Sequence, residues 1–273
     1  AASTKDVASI NITEQILKNY PFKPANEKFQ GMPVYAAEIG GKEAKLVILD
    51  NELIYAQNIT DFSPHLELII FVSRHSSVSG TPTLSVHTPG NLGESADLGG
   101  KPKSVSISPA NAMRTALKAM AKLVEEKQLN NDYKVCYECT HHGPSLDKPA
   151  MFVELGSSQK QWEDKRAAEV VAHAAMEAAL NFGKKEAKAV LGIGGPHYNE
   201  KFTRTALETD IAFGHMIPKY GIPAVSEEIL RQCVEKTFEI VDSAVLDWKG
   251  IKGEDKPKLV EMLDAIGVQT QKI

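Results

Sequence analysis

The hydrophobic positions of the chain form short, nearly continuous runs that alternate with amphipathic stretches. The runs are rich in Val, Ile and Leu, which is typical of strands buried on both faces of a sheet. Six runs predict the main strands, and two shorter runs predict minor ones. The main runs lie at 45–50, 66–73, 134–140, 151–156, 188–194 and 243–248, and the minor runs at 83–87 and 104–108.

Stretches with helical periodicity lie between these runs. In 108–128, Ser108 precedes Pro109 at the first helical position, and Met113 and Leu117 fall on one face of the predicted helix. Strand–helix alternation predicts an α/β sandwich with a mainly parallel or mixed central sheet. The other predicted helices cover 7–19, 158–182, 226–241 and 255–266.

The length of the chain suits one large core. With 273 residues, of which 42% are hydrophobic, we expect a single α/β domain over 1–273. Two closely packed lobes are the alternative, because no sharp boundary divides the chain. The opening residues AASTKD resemble the tail of a strand entering a turn, so we expect that part of a leading strand is missing before them.

Composition narrows the classes of function. The net charge is -4, so a nucleic-acid partner requires a local basic patch. Three cysteines argue against a disulfide framework and fit a reducing interior. No apolar run approaches the roughly 18 residues that a membrane helix needs, which predicts a protein without membrane spans.

Polar clusters follow several of the apolar runs. In open α/β sheets, ligands bind at the carboxyl ends of the strands, so we expect these clusters to meet at one edge. They contain six of the eight histidines. The clusters are SRHSS (73–77), HTPGN (87–91), ECTHHGPS (138–145), GIGGPHY (192–198) and FGH (213–215), and the histidines are His75, His87, His141, His142, His197 and His215.

The chemistry of these side chains suits zinc. Neutral imidazoles together with Glu138 or Glu154 are ordinary zinc ligands. The chain has no HExxH spacing, and Cys136 and Cys139 fall inside a predicted strand with side chains on opposite faces. A zinc site must therefore be assembled from separate strand ends. A metal-free site, in which a histidine acts as general base, is the alternative.

Two motifs carry local expectations of their own. Adjacent residues on an extended chain point in opposite directions, so we expect only one of His141 and His142 to face the site. In GIGGPH, Gly194 and Gly195 allow close approach of the backbone to a ligand. The motif lacks both the Lys-Ser/Thr of a P-loop and the GxGxxG spacing, which argues against a nucleotide site.

Taken together, the motifs resemble those of the archaeal and plant type of D-aminoacyl-tRNA deacylase. The resemblance runs from near residue 3 to near residue 267, and ECTHHGP with GxGGxHY in one chain is its most specific part. Pro196 departs from the glycine that members of this family carry there. The remaining motifs are SRHSS, HTPGN, ELGSS (154–158), FGH and DWKG (247–250).

The resemblance implies hydrolysis of the ester that joins a D-amino acid to the 3′ end of tRNA, with glycyl-tRNA as a further substrate. It also implies chiral proofreading in translation, a zinc cofactor and an archaeal cytoplasmic location. The implied fold is a three-layer α/β/α sandwich like those of phosphorylases and peptidyl-tRNA hydrolases. The acceptor end of an aminoacylated tRNA is the implied partner.

For this reaction we assign provisional roles to the clustered residues. The catalytic candidates are His141, His142, Glu138 and His75. The metal candidates are His87, His142, His197 and His215. The substrate-binding candidates are Arg74, Gly194, Gly195, His197, Lys201 and Arg204. Other basic runs that could contact tRNA are Lys184, Lys185 and Lys188, and Lys249, Lys252, Lys256 and Lys258.

Three other readings remain open at this point. A nucleoside phosphorylase or amidohydrolase would use a similar α/β scaffold. A tRNA-binding module would bind without cleaving the ester. A structural protein would hold metal only adventitiously, but six histidines at strand ends argue against that reading.

Overall fold

The computed structural model describes residues 1–273. None of its helices is both long and apolar enough to cross a membrane. The strands are β1 (Ala2–Ser3), β2 (Lys23–Phe29), β3 (Met32–Ile39), β4 (Lys42–Leu49), β5 (Ile69–Ser76), β6 (Thr83–His87), β7 (Gly90–Asn91), β8 (Ser104–Val105), β9 (Lys134–Tyr137), β10 (Ala150–Ser157), β11 (Lys188–Ile193), β12 (Ile211–Ile217), β13 (Val241–Leu246) and β14 (Thr270–Lys272). The helices are α1 (Val7–Asn19), α2 (Ala110–Glu126), α3 (Gln159–Trp162), α4 (Lys165–Asn181), α5 (Glu200–Glu208), α6 (Glu227–Glu235) and α7 (Lys256–Ala265).

Three four-stranded sheets lie edge to edge. Their strand orders are β2-β3-β4-β1, β5-β10-β6-β9 and β12-β11-β13-β14. Backbone hydrogen bonds join them: Val72 N donates to Ala1 O over 3.1 Å, and Thr140 N donates to Met216 O over 2.8 Å. The third sheet is parallel throughout. In the second sheet β10 is parallel to β5 and antiparallel to β6, so the whole assembly is mixed, as predicted.

Side chains on both faces of these sheets are buried, which creates the layers of the sandwich. In β11, Val190 belongs to the core that α1, α2 and α4 cover, whereas the next residue, Leu191, packs with Ile229 of α6 and Leu259 of α7. Alternation along a strand thus directs one residue to each helical layer. The predicted α/β sandwich is confirmed.

The bounds of some helices and strands differ from the sequence prediction, because individual side chains decide where these elements begin. The helix predicted over 158–182 is two helices, because the Asp164 side chain accepts hydrogen bonds from Arg166 N and begins α4. The start of α2 is held by a distant residue: the Glu239 carboxylate accepts from Ala110 N and Asn111 N. The polar strand β2, whose exposed pattern carries no apolar signal, was missed.

The first residues of the chain lie between the first two sheets. Strand β1 is parallel to β4, and the Ala1 ammonium group donates to Ile70 O over 2.7 Å. The opening residues thus form a short strand of the first sheet. A cavity of about 710 Å³, largely apolar, lies beside Ala1 between β4 and β5. None of the clustered histidines and glutamates lines this cavity.

Candidate active site

Strand register brings the polar residues of the second sheet together on one face. In β10, Glu154 lies opposite Ser73 of β5, and Gly156 lies opposite His75. On the other side of β10, Phe152 lies opposite His87 of β6. A Cβ on Gly156 would stand 2.6 Å from the Cβ of His75, so a glycine is required for this close pairing.

The segment after β9 brings in the next donors. Glu138 N donates to Val86 O over 3.0 Å, and Cys139 N donates to His197 O over 2.9 Å. These bonds hold the segment between β6 and the loop that follows β11. The convergence therefore lies beside the middle of β10 and not at its carboxyl end. Because β6 is antiparallel to β10, it ends with His87 opposite Phe152 in the amino half of β10, and β9 ends next to it. We call the assembled residues the His/Glu cluster: His75, His87, Glu138, His141, His142, Glu154 and His197.

His141 and His142 both point into the cluster, contrary to the sequence prediction. Strand β9 ends at Tyr137, and His142 has a φ of 42° in the left-handed region. This turn places the two adjacent rings 4.2 Å apart, centroid to centroid. The prediction was wrong because it assumed that the chain is extended at His141 and His142 themselves. A left-handed histidine costs on the order of 1 kcal/mol and marks a constrained site.

Three histidine rings of the cluster face one another, and each ring has one nitrogen with a lone pair. The Nδ1 atoms of His141 and His142 lie 2.8 and 2.9 Å from the carbonyl oxygens of Cys139 and Gly143, and Nδ1 of His87 lies 3.3 Å from Thr88 O. A carbonyl can only accept, so each Nδ1 carries the proton and each Nε2 has a lone pair. The ligand atoms of these three rings lie within 4.8 Å of one another.

The same three rings are better explained as metal ligands than as side chains that only pack in the core. His87 is fully buried, and its Nε2 atom has no hydrogen-bond partner, which is costly unless something else binds it. Burial, reinforced by neighbouring histidines, lowers the pKa of His141 well below its usual range and that of His142 to about 4. Both rings are therefore neutral at pH 7, as metal ligands must be.

Glu138 lies at the centre of the cluster and is fully buried. Its Oε2 atom is 2.9 Å from His197 Nε2 and 3.8 Å from His141 Nε2, and its Oε1 atom is 3.2 Å from His75 Nδ1. Burial alone would raise the pKa of Glu138, but His197 and His75 hold it well below its usual range. The carboxylate is charged: Oε2 bonds to His197, and Oε1 lies beside His75 without a well-formed hydrogen bond.

Glu154 supplies a second buried carboxylate. Ser73 Oγ donates to Glu154 Oε1 over 2.6 Å, and His75 Nδ1 lies 3.5 Å from Glu154 Oε2. Burial opposes ionisation of Glu154, but the bond from His75 and the neighbouring ring of His87 lower its pKa to about 2. His87 Nε2 lies 3.8 Å from Glu154 Oε2, which is too far for a hydrogen bond. For His75, burial is outweighed by its bonds to the two carboxylates, which raise its pKa to about 11. These bonds favour the charged imidazolium form of His75, which was predicted as a catalytic residue without a defined role.

Donor groups overlap along the cluster. Besides the three histidines, Glu138, His141 and His197 form a second group that could hold a metal ion, and His75, Glu138 and Glu154 form a third. His141 is common to the first two groups and Glu138 to the last two. The cluster is therefore a continuous array of ligands.

His197 connects the buried cluster with solvent. Its side chain is 23% exposed, and its Nδ1 atom lies 3.0 Å from the hydroxyl of Tyr220, a residue that is 63% exposed. The loop that carries His197 depends on Gly195, which has a φ of 74° and where a Cβ would stand 2.9 Å from Asp247 Oδ2. A substrate could therefore approach the cluster along His197.

Six predicted site residues lie outside the cluster: Arg74, Gly194, Gly195, Lys201, Arg204 and His215. His215 is buried elsewhere, with Nδ1 3.1 Å from Thr140 Oγ1 and Nε2 3.1 Å from the Ser106 and Lys236 carbonyl oxygens, so no ring nitrogen is left for a metal. The Arg74 guanidinium lies on the opposite face of β5 from His75.

Arg74 pairs there with Glu52 over 2.6 Å and lies over Trp162. This position corrects its predicted role as a phosphate or oxyanion contact. The amide of Gly194 is also committed, since it donates to Ile217 O over 2.8 Å. The Gly195 amide makes no hydrogen bond within the chain, although the residue is buried.

The two basic residues predicted after the glycine motif lie on α5. Lys201 pairs with Asp247, in a contact that also supports the glycine loop. Arg204 is exposed one turn later and forms no salt bridge. Lys201 is therefore partly neutralised, whereas Arg204 is accessible to an anion.

Sequence reasoning left Tyr198 and Tyr220 outside the site. The hydroxyl of Tyr198 lies 3.0 Å from His75 Nε2, and the GIGGPHY motif contains this residue. Tyr220 follows β12 without any motif, and only the fold shows that it meets His197. Glu154 was considered as a zinc ligand but had no assigned place until the register of β10 was known.

Comparison with known proteins identifies the family of the chain. A sequence profile of the D-aminoacyl-tRNA deacylase family matches residues 62–271. The chain is 40% identical to a D-aminoacyl-tRNA deacylase of Thermococcus kodakarensis, over 97% of this chain and 95% of that one. It is 34% identical to a protein of the same name from Methanocaldococcus jannaschii, over 100% of this chain and 98% of that one.

A solved structure has the same fold. The crystal structure of a conserved protein of unknown function superposes with a TM-score of 0.88 and 31% identity, covering 99% of this chain and 93% of that one. The profile match spans well over half of the chain, and the curated relatives are similar along nearly their whole length. The chain belongs to the D-aminoacyl-tRNA deacylase family.

Proposed function

We propose that the His/Glu cluster is the active site at which this chain hydrolyses the ester of D-aminoacyl-tRNA, releasing the D-amino acid and tRNA. The observation that carries the proposal is the arrangement of His87, His141 and His142, whose Nδ1 atoms face backbone carbonyls while their other ring nitrogens converge. Family membership supports the reaction, and this geometry supports the proposed location of the active site.

We assign zinc to this cluster, with His87, His141 and His142 as its ligands. Three imidazoles with an open fourth position are typical of catalytic zinc sites. When bound, zinc supplies Lewis-acid polarisation of an ester carbonyl and lowers the pKa of a water molecule towards neutrality. Glu138 and His197, which form the adjoining donor group with His141, are the ligands for any second ion.

The other residues of the cluster orient their neighbours and transfer protons. Glu138 accepts from His197 Nε2–H and so fixes the tautomer in which His197 Nδ1 carries a lone pair. His197 is then a general base or acid at the solvent-facing end of the cluster. The Gly195 amide stands on the same loop as a donor for the developing oxyanion.

His75 and Glu154 support this arrangement without contacting the substrate. The His75 imidazolium lies between Glu138 and Glu154 and balances part of their charge. The Tyr198 hydroxyl bonds to His75 Nε2, and Ser73 Oγ donates to Glu154 Oε1. In this proposal His75 and Glu154 position Glu138, which in turn positions His197.

The substrate requirements follow from the reaction. The acceptor end of the tRNA enters beside His197, with Arg204 as an accessible phosphate contact. Selection for the D form comes from a pocket that admits its side chain and rejects the L form by steric contact. Glycyl-tRNA, which lacks a side chain, enters the same pocket. The reaction belongs to chiral proofreading in the cytoplasm, where tRNA is charged.

The experiment that tests the proposal compares hydrolysis of D-tyrosyl-tRNA and L-tyrosyl-tRNA, with and without a chelator, followed by addition of zinc. We expect cleavage of the D ester only, loss of that cleavage on chelation and recovery with zinc. Cleavage that survives removal of all bound metal would overturn the zinc assignment and leave histidine acid–base chemistry. Absence of D-selective cleavage by folded protein would overturn the proposed reaction, and phosphate-dependent nucleoside cleavage would then be measured.

A further inference from the structure

The carboxyl ends of the parallel strands β11 to β14 form an edge of the third sheet next to the His/Glu cluster. The segment after β11 carries His197, and the segment after β12 carries Lys219 and Tyr220. The segment after β13 carries Trp248 and Lys249. Contacts join these segments: Lys219 N donates to Gly195 O over 2.9 Å. This edge is a surface continuous with the exposed end of the candidate active site.

The edge is basic although the chain is acidic overall. Lys219, Lys249 and Lys272 are exposed, and Lys256 is half-buried at the start of α7. None of these four forms a salt bridge, whereas Lys252 and Lys201 on the same edge pair with Glu254 and Asp247. With a net charge of -4 for the whole chain, four unpaired ammonium groups at one edge make a local anion-binding surface.

Two aromatic rings are set among these lysines. The ammonium groups of Lys256 and Lys272 lie 4.6 and 3.9 Å from the centre of the Trp248 ring. Tyr220 is 63% exposed and lies nearly parallel to the His197 imidazole, at 24° and 6.5 Å between centroids. Trp248 is half-buried and holds two of the lysines in place, whereas Tyr220 presents an exposed ring. Lysines beside an exposed aromatic ring are typical of surfaces for single-stranded nucleic acid, in which a base stacks on the ring and lysines contact phosphates.

We propose that this edge binds the acceptor strand of tRNA. Tyr220 stacks against the terminal base beside His197, and Trp248 with Lys219, Lys249, Lys256 and Lys272 holds the backbone that leads away from the cluster. The inference rests on the proposed function, because that function puts the aminoacyl ester at the His/Glu cluster. It specifies where the rest of the substrate lies, which the cluster by itself does not.

The opposite end of the same strands provides a matched control. Lys184 and Lys185 precede β11, which begins at Lys188 and ends at Ile193, so these exposed lysines lie at the far edge of the sheet. Removing two charges there changes the net charge as much as removing two at the proposed surface. Any difference between the two double variants therefore reports position rather than overall charge.

The test measures binding of uncharged tRNA by fluorescence anisotropy across a series of salt concentrations. For Lys256→Gln/Lys272→Gln we expect Kd to rise about tenfold near 0.1 M salt, and the slope of log K against log salt to decrease by about two. Tyr220→Ala should weaken binding to intact tRNA but not to tRNA that lacks its 3′ nucleotide. Lys184→Gln/Lys185→Gln should bind like the unaltered protein.

Equal effects of the two double variants, or no effect of either, would overturn the surface. Circular dichroism shows whether each variant is folded, and Lys249→Gln serves as an independent probe if the double variant is not. Cleavage of D-tyrosyl-tRNA by the unaltered protein is measured in parallel. Edge-dependent binding without any cleavage would support the surface while overturning the proposed reaction, so the two failures are distinguishable.

Discussion

Glu138 Oε2 lies 2.9 Å from His197 Nε2, and this contact links a fully buried carboxylate to a histidine at the solvent-facing end of the cluster. The carboxylate determines which nitrogen of His197 is protonated. It also lies next to His141 and His75. Glu138 is therefore the residue through which the ligand histidines, the buried ion pair and the exposed histidine influence one another.

Replacement of Glu138 by glutamine tests this central position. Glutamine keeps the shape but has no charge, and its amide group can turn towards His197 and reverse the tautomer. We expect kcat for D-tyrosyl-tRNA to fall by about 10²- to 10⁴-fold, with tRNA affinity unchanged. Glu52→Gln, which alters an exposed partner of Arg74 on the other face of β5, is the matched control and should retain activity. Equal kcat values for the two variants would contradict the role of Glu138.

Loss of a histidine ligand should appear in metal binding before any activity is measured. His87→Ala removes the buried nitrogen that has no partner within the chain. We expect zinc affinity to fall by at least about 100-fold, measured by competition with a chromophoric chelator. His65→Ala, in an exposed loop, should bind zinc normally. Unchanged affinity of the His87 variant would exclude it as a ligand.

Zinc should also stabilise the fold, because the ligands come from β6 and from the segment after β9. At a free zinc concentration of 100 times Kd, the gain is about 2.7 kcal/mol. Thermal unfolding of the metal-stripped protein, with and without zinc, measures it as an increase in Tm. His142→Ala should show a much smaller increase, and an increase as large as that of the unaltered protein would argue that zinc binds elsewhere.

His215 should behave as a structural residue rather than a ligand. Its ring bridges Thr140 and the carbonyl oxygens of Ser106 and Lys236 inside the core. His215→Ala leaves these groups without partners, and we expect the free energy of unfolding to fall by about 1–3 kcal/mol, measured by urea denaturation. Zinc affinity should stay the same. Loss of zinc without loss of stability would restore the ligand role that the sequence indicated.

Sequence patterns predicted which segments carry the chemistry, because buried strands and the polar residues that follow them leave a clear local signal. ECTHHGPS and GIGGPHY do supply Glu138, His141 and His197 to one cluster. The direction of each side chain was harder to predict. His142 points inward because of one left-handed residue, a choice that depends on the packing around residues 138–143 and not on their composition.

Pairings between distant residues were not predictable from the chain. Arg74 sits in a polar run next to His75, and only the alternation within β5 shows that it faces Glu52 and Trp162 instead of the cluster. Tyr220 lies 23 residues from His197 and meets it because β11 and β12 are parallel neighbours. Such contacts follow from sheet order, which local periodicity does not contain.

Arg74 should not take part in substrate binding. Its basic side chain next to His75 in the sequence favours such a role, but its position in the fold opposes it. Its guanidinium is already held by Glu52 at 2.6 Å and lies 5.7 Å from the Trp162 ring centre, on the face of β5 opposite His75. We expect Arg74→Gln to keep kcat/KM for D-tyrosyl-tRNA and Kd for uncharged tRNA within about twofold. Because both partners of the ion pair are about one-third exposed, the free energy of unfolding should fall by less than about 1 kcal/mol. Lys256→Gln/Lys272→Gln, measured beside it, shows the loss of binding expected from true phosphate contacts, and a comparable loss for Arg74→Gln would place tRNA on the wrong side of the sheet.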